Sequence, residues 1–294
     1  MNAQKKRAVY AAAAAVARVN PDVNVWKLGD ALGVSYDKAN TLLVQLEDEG
    51  IIPTAPCTLL GYRFERAVFI GSPAAVKACL GKGFDVNRPF TDKYGSTDIP
   101  LRYACRWGSE KQNAAIVQLL LAAGADPNAC DEDGDNALSH ADNAPLIRQL
   151  LNAGADATQL VSRGRSVLHD PGRFRDTDSL RLLIAAGARA DVADTNGNTP
   201  LFSDSIRLAV HPERLSLLLK AGAPIDHRNK QGLTALDCAL SRPRLYPYAL
   251  ALLRHGARPT PVSFDCFLAD DIASAPEKQE VMKALLSSYR RHTA

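Results

Sequence analysis

The side chains able to do nucleophilic, acid–base or metal chemistry in this chain include six histidines and six cysteines, set among 32 carboxylates. The histidines are His140, His169, His211, His227, His255 and His292. No pair of them has the i, i+4 spacing with a glutamate that a helical zinc site needs, and there is no Gly-x-Ser-x-Gly elbow, P-loop or dinucleotide fingerprint. Cys57, Cys79, Cys105, Cys130, Cys238 and Cys266 form no C-x-x-C pair and read as free thiols of a reducing compartment. Asp126, Asp156 and Asp226 recur in phase with one another, which turn chemistry explains better than proton transfer. The expectation is a chain without catalysis, metal, cofactor or small-molecule substrate.

What remains is recognition chemistry. Asp131, Glu132, Asp133 and Asp135 form an acidic cluster, whereas Arg163 and Arg165, then Arg228 and Lys230, with Arg242 and Arg244 nearby, are basic. A surface graded from acid to base could orient a partner of matching charge pattern, and solvated faces also carry such charges. Arg173, Phe174 and Arg175 place an aromatic between two arginines, in a stretch broken by Pro171 and Gly172. That stretch is either a solvated loop or a binding hot spot, because arginine and aromatic side chains dominate interface energetics. Trp107 is likewise either a packing residue or an exposed anchor. The formal net charge of +3 predicts neither a nucleic-acid coat nor a membrane-surface protein. The alanine-rich run 11–17 is too short to span a bilayer and lacks the leucine-rich core of a secretory signal.

The elements that position these residues follow from a repeat. Residues 116–128 (IVQLLLAAGADPN) read as an amphipathic helix ending at a glycine, and close copies lie at 146–156, 180–190, 215–226 and 249–259, with a weaker one at 76–87. The stop glycines Gly83, Gly124, Gly154, Gly187, Gly222 and Gly256 recur at intervals of about 33 residues, the mark of stacked helical units. Upstream of these helices come Gly134-Asp135-Asn136-Ala137-Leu138-Ser139-His140-Ala141, Gly197-Asn198-Thr199-Pro200-Leu201 and Gly232-Leu233-Thr234-Ala235-Leu236-Asp237-Cys238-Ala239. Glycine supplies a turn with positive φ, threonine caps a helix, and proline fits its first position. This combination resembles the ankyrin repeat. The resemblance implies an all-α ankyrin-repeat solenoid of about six units, at 62–88, 92–130, 131–158, 162–191, 194–225 and 228–258, closed by a helical cap at 259–294. Three units depart from the pattern. The second carries extra residues around 106–113, the third is short near 142–145, and the fourth loses its first helix at 169–178.

Residues 1–60 carry no such repeat. Helices are expected at 5–19, 25–32 and 36–49, the last with Ala39, Leu42, Leu43 and Leu46 as its buried stripe, followed by an extended Gly50-Ile51-Ile52. This plan is that of a winged helix-turn-helix, and Gly33–Ile52 is similar to the gamma domain of the FtsK DNA translocase. The resemblance implies that Tyr36, Lys38 and Asn40 face double-stranded DNA, with Ser35 near a phosphate. Asp37 departs from it, and residues 1–64 hold seven Lys and Arg against six Asp and Glu, a weak field for a phosphate backbone. Winged helices also serve as docking units.

The functional expectation is a non-enzymatic interaction protein, an adaptor or inhibitor, that binds a folded protein through the concave face and finger turns of its repeats. Its candidate partner-binding residues are Trp107, Arg163, Arg165, Arg173, Phe174, Arg175, Arg228 and Lys230. The alternative is a DNA-binding regulator whose repeats sense a partner. The FtsK-like segment implies a bacterial or phage origin. A cytoplasmic location is expected, with a secreted effector as the other possibility.

Overall fold

The computed structural model describes residues 3–19, 25–34, 38–39, 42, 45–46, 59–91, 97–107, 113–171, 173–202, 212–268 and 276–293. The chain forms two compact units, Met1–Ala125 and Asp126–Ala294.

The first unit opens with α1 (Ala3–Val19) and α2 (Val25–Leu32). Alanine makes α1 thin, so Ala13, Ala14 and Ala17 let Leu28, Ala39, Leu42 and Leu46 approach closely in one buried cluster. The expected stripe is thus seen at Ala39, Leu42 and Leu46, while Leu43 and residues 50–52 lie outside the described residues. Two helical pairs follow, α3 (Leu59–Phe69) with α4 (Pro73–Gly81), and α5 (Pro100–Trp107) with α6 (Asn113–Ala122). Each pair packs on itself, and α3 lies on α5 as α4 lies on α6. Ser72 caps α4 by accepting the Ala75 N–H at 3.3 Å, with Pro73 in the first turn. Between the pairs runs a short antiparallel hairpin, β1 (Phe90–Thr91) with β2 (Thr97–Asp98), in which Phe90 faces Asp98. Phe90 joins an aromatic core, meeting Phe64 at 5.5 Å and Tyr103 at 5.2 Å, while Phe64 stacks on Phe84 at 4.5 Å. Asp98 reaches forward into α5 as a buried ion pair with Arg102 at 2.8 Å.

The second unit continues the helical pairs. Its outer helices are α7 (Ala144–Asn152), α8 (Thr177–Ala185), α9 (Pro212–Lys220), α11 (Tyr246–Arg254) and α13 (Pro276–Thr293). Inside them lie α10 (Ala235–Leu240) and α12 (Pro261–Leu268). Leu146, Leu150, Leu180, Leu183, Leu215 and Leu218 are the fully buried leucines of α7, α8 and α9, each contributing about 1.5–3 kcal/mol. All six stop glycines take positive φ, from 86° to 93°, which lets the chain turn out of each outer helix at little strain. The asparagine that follows then ties neighbouring units: Asn87 Nδ2 donates to the Gly124 carbonyl at 2.9 Å, and Asn128 Nδ2 to the Gly154 carbonyl at 3.0 Å. Asp126 and Asp156 each accept a backbone N–H two residues on, at 2.9 and 2.8 Å. For Asp156 the Thr158 hydroxyl and N–H hold the carboxyl below the ordinary carboxylate range. These carboxylates serve turns.

The third unit has turns at 138–140 in place of an inner helix, and the fourth, where none is expected, has turns and bends within 167–171 and 173–176. The sixth unit keeps its inner helix because Thr234 and Asp237 form a capping box, with N–H to oxygen distances of 2.8 and 3.2 Å. At the C-terminal end Phe264 meets Tyr289 edge-on at 5.4 Å, and Val281 and Leu285 of α13 are fully buried.

Candidate functional site

Each unit from the third to the sixth projects a finger, a tight turn held by one polar side chain at its base. Asp131 Oδ1 accepts from Asp133 N at 3.1 Å and Asp135 N at 2.8 Å. Asp194 Oδ1 does the same for Asn196 N and Asn198 N, at 2.8 and 2.9 Å, and Asn229 Oδ1 for Gln231 N and Leu233 N, both at 3.0 Å. The fourth finger lacks such a side chain. Its hairpin closes through Val161 and Arg165 instead, and Arg163 sits at φ 61°, alone among the described non-glycine residues in having a positive φ.

The fingers are bonded to one another. Asp135 Oδ1 accepts the Ser162 N–H at 3.2 Å, the Arg163 carbonyl accepts the Thr195 N–H at 3.0 Å, and the Asn196 carbonyl accepts the Lys230 N–H at 3.1 Å. Four consecutive fingers therefore form one row. Gly197 is required for that spacing, since a Cβ there would stand 2.7 Å from Lys230 N. Glu132, Asp133, Arg163, Asn196, Arg228 and Lys230 are all exposed along the row. Charge runs from acidic on the third finger to basic on the fourth and sixth. Arg228 is steadied by donating from Nη1 to the Gly232 carbonyl at 2.6 Å. Arg165 is half-buried.

The other candidate residues lie elsewhere. Trp107, 46% exposed, ends α5 in the first unit, with the Arg106 guanidinium 4.8 Å above its ring. The expectation of an exposed anchor at Arg173 and Phe174 is corrected. Phe174 has 0% exposure and is part of the core. Arg173 turns inward, donating from Nη2 to the Leu138 carbonyl at 3.0 Å and stacking 4.8 Å over the Phe174 ring. Burial, opposed by Asp170, Asp142 and Asp135, lowers its pKa to about 10, so it stays charged at neutral pH. Arg175 is exposed and ties to Asp142 at 2.6 Å. Lys38 is half-buried, and Ser35, Tyr36 and Asn40 lie outside the described residues.

Arg214, in α9, belongs to the same loop system: it is 2% exposed and donates from Nη1 to the Pro171 carbonyl at 3.1 Å. Its position four residues before Leu218 puts it on the buried face, a spacing readable in the sequence. Among the described residues no group of three or more histidine, cysteine or carboxylate side chains is arranged to hold a metal ion, and no helix is long and apolar enough to cross a membrane.

Residues 101–193 match the family described as Ankyrin repeats (3 copies). Among solved structures, the chain is similar to one chain of the Bd0816 predatory endopeptidase from Bdellovibrio bacteriovorus in complex with immunity protein Bd3460. The TM-score is 0.50 and the sequence identity 25%, over 65% of this chain and 97% of that one. The protein is thus a predominantly helical one with ankyrin repeats, a module of protein–protein interaction.

Proposed function

We propose that this chain is a non-enzymatic adaptor or inhibitor that grips a folded protein along its finger row, with Arg163, Arg165, Arg228 and Lys230 as the charged contacts. One observation carries the reading. Fingers three to six are cross-bonded through Asp135–Ser162, Arg163–Thr195 and Asn196–Lys230, so their exposed charges are presented in a fixed register. A preorganised row loses less entropy on binding than mobile loops would. The similar complex joins an endopeptidase to an immunity protein, which supports an enzyme held in check as the partner class to test first. Arg175 adds a peripheral charge, and Trp107, in the first compact unit, is a separate candidate contact.

The N-terminal segment 1–60 is read as a docking unit ahead of the repeats at 62–258 and the cap at 259–294. Its near balance of charge over residues 1–64 weighs against duplex DNA as its target. Free thiols at Cys79, Cys105, Cys130, Cys238 and Cys266 fit a cytoplasmic setting.

The test is a photo-crosslinking residue placed at Asn196 or Arg228 in the native cell, with Arg181 of α8 as the off-row control. A discrete protein adduct from the finger positions and none from Arg181 is expected. Adducts from Arg181 alone would place the contact elsewhere.

A further inference from the structure

In the later repeats, the residue eight positions before the stop glycine faces the unit ahead of its own. Ile116, Ser179, Arg214 and Tyr248 hold this place, and all four are buried. Two of them show the direction. Arg214 Nη1 donates to the Pro171 carbonyl at 3.1 Å, and the Tyr248 hydroxyl to the Leu201 carbonyl at 2.7 Å, each in the preceding unit. In the first unit the same place falls to Ala75, and no repeat of this kind precedes it. Ala75 is only half-buried and Ala78, one turn on, is exposed. Both line an open groove of about 280 Å³ between α3 and α4.

We propose that this groove docks an acidic amphipathic helix of a partner protein, laid where a preceding repeat would otherwise stack. Shape is the first argument. Ala67 and Ile70 on one side and Ala75 and Ala78 on the other form an apolar bed at helical spacing. Their stripes continue the stacking face by which each later repeat receives the one before it, and that face is built to accept a helix. Three of the four are alanines, which let an incoming backbone come close. Ile70 is 60% exposed and Phe69 beside it 59%, so apolar surface stands ready to be covered. The volume falls short of the roughly 300–1,000 Å³ of small-molecule sites, yet it takes the few anchoring side chains of one helix face. Charge is the second argument. Arg63, Arg66 and Lys82 line the same groove, and no carboxylate does. Burial pushes the Cys79 thiol up, and Arg63 and Lys82 both act against it, so the two cations converge on the groove's base. Three positive charges around an apolar bed favour a helix whose leucine-like anchors are flanked by glutamate or aspartate, and they repel a basic one. This surface lies in the first compact unit and owes nothing to the finger row.

The experiment titrates the full chain, carrying 13C at its alanine methyls, with a synthetic helical peptide. The peptide has about four turns, with leucines at i, i+3 and i+7 flanked by glutamates. Saturable shifts of the Ala67, Ala75 and Ala78 methyls are expected. Arg66→Glu with Lys82→Glu, two exposed cations of the groove, should weaken binding about tenfold or more at low salt, with the loss shrinking as salt is raised. Lys77→Glu with Arg88→Glu, exposed cations outside the groove, should leave it within about threefold of wild type. Should the groove variant fail to fold, the wild-type titration decides by itself, with the same peptide bearing lysine for glutamate as its comparison. Absence of binding, shifts confined to other alanines, or equal binding of the lysine peptide overturns the proposal. Binding to phosphatidylserine vesicles in place of the peptide overturns it in favour of a membrane surface. Contacts from residues 1–58 to these three methyls in the chain alone overturn it in favour of the protein's own N-terminal segment.

Discussion

Phe174 carries no exposed surface, and the Arg173 guanidinium lies 4.8 Å over its ring. Its removal leaves a cavity where the fourth unit has no inner helix to collapse inward. Phe174→Ala should therefore cost about 3–5 kcal/mol in urea unfolding; a loss below about 1 kcal/mol would show that the site is not packed as described. Gly197 is a second fixed point. With φ at 79° and a Cβ only 2.7 Å from Lys230 N, Gly197→Ala should destabilise by more than about 1 kcal/mol, and an unchanged melting midpoint would contradict that contact. At this scale the sequence was only partly legible. Pro171 and Gly172 announce a loop, and loops are ordinarily read as surface, so the inward turn of Arg173 and Phe174 was hidden. It depends on Leu138, 35 residues away in the chain. The exposure of Arg163, Arg228 and Lys230 was, by contrast, readable from their place beside turn glycines.

The finger is the element on which binding is proposed to depend, and its strength lies in bonds shared between neighbours. Asn229 by itself accepts two N–H groups within its own turn and donates to Asn198 in the preceding finger. Asn229→Ala should thus loosen two fingers together, and hydrogen exchange of residues 194–198 and 229–233 should rise in parallel. A rise confined to 229–233 would mean the fingers move independently. The outer helices and their glycine stops were legible because one pattern, leucines at helical spacing followed by Gly-Ala, repeats five times, with a weaker copy ending at Gly83-Phe84 before it. The loss of the fourth unit's inner helix was legible from Pro171 and Gly172, whereas the short segment near Asp142–Pro145 pointed only to a shortened first helix in the third unit. The bonds that join fingers were not, since most run through backbone groups that every residue possesses. Of the four residues expected at DNA, Ser35, Tyr36 and Asn40 lie outside the described residues and Lys38 alone is placed, so the N-terminal segment adds nothing at this scale.

For the whole molecule, a net charge of +3 conceals a strongly uneven distribution. Acidic side chains crowd the third finger and basic ones the fourth and sixth, so attraction to a partner should depend on salt even though the chain is nearly neutral. The ankyrin pattern made the class of protein legible, but a repeat encodes packing, and the identity of what it grips is written in exposed side chains that obey no pattern. The most direct measurement is the affinity of the partner, recovered by crosslinking at the row, for the double variant Arg163→Glu with Lys230→Glu. The control is Arg181→Glu with Arg189→Glu, two exposed arginines off the row. We predict at least a roughly hundredfold loss for the finger variant in low salt, shrinking as salt is raised, with the control within about threefold of wild type and thermal stability unchanged in both. Equal affinity for the finger variant and the wild type would contradict the account.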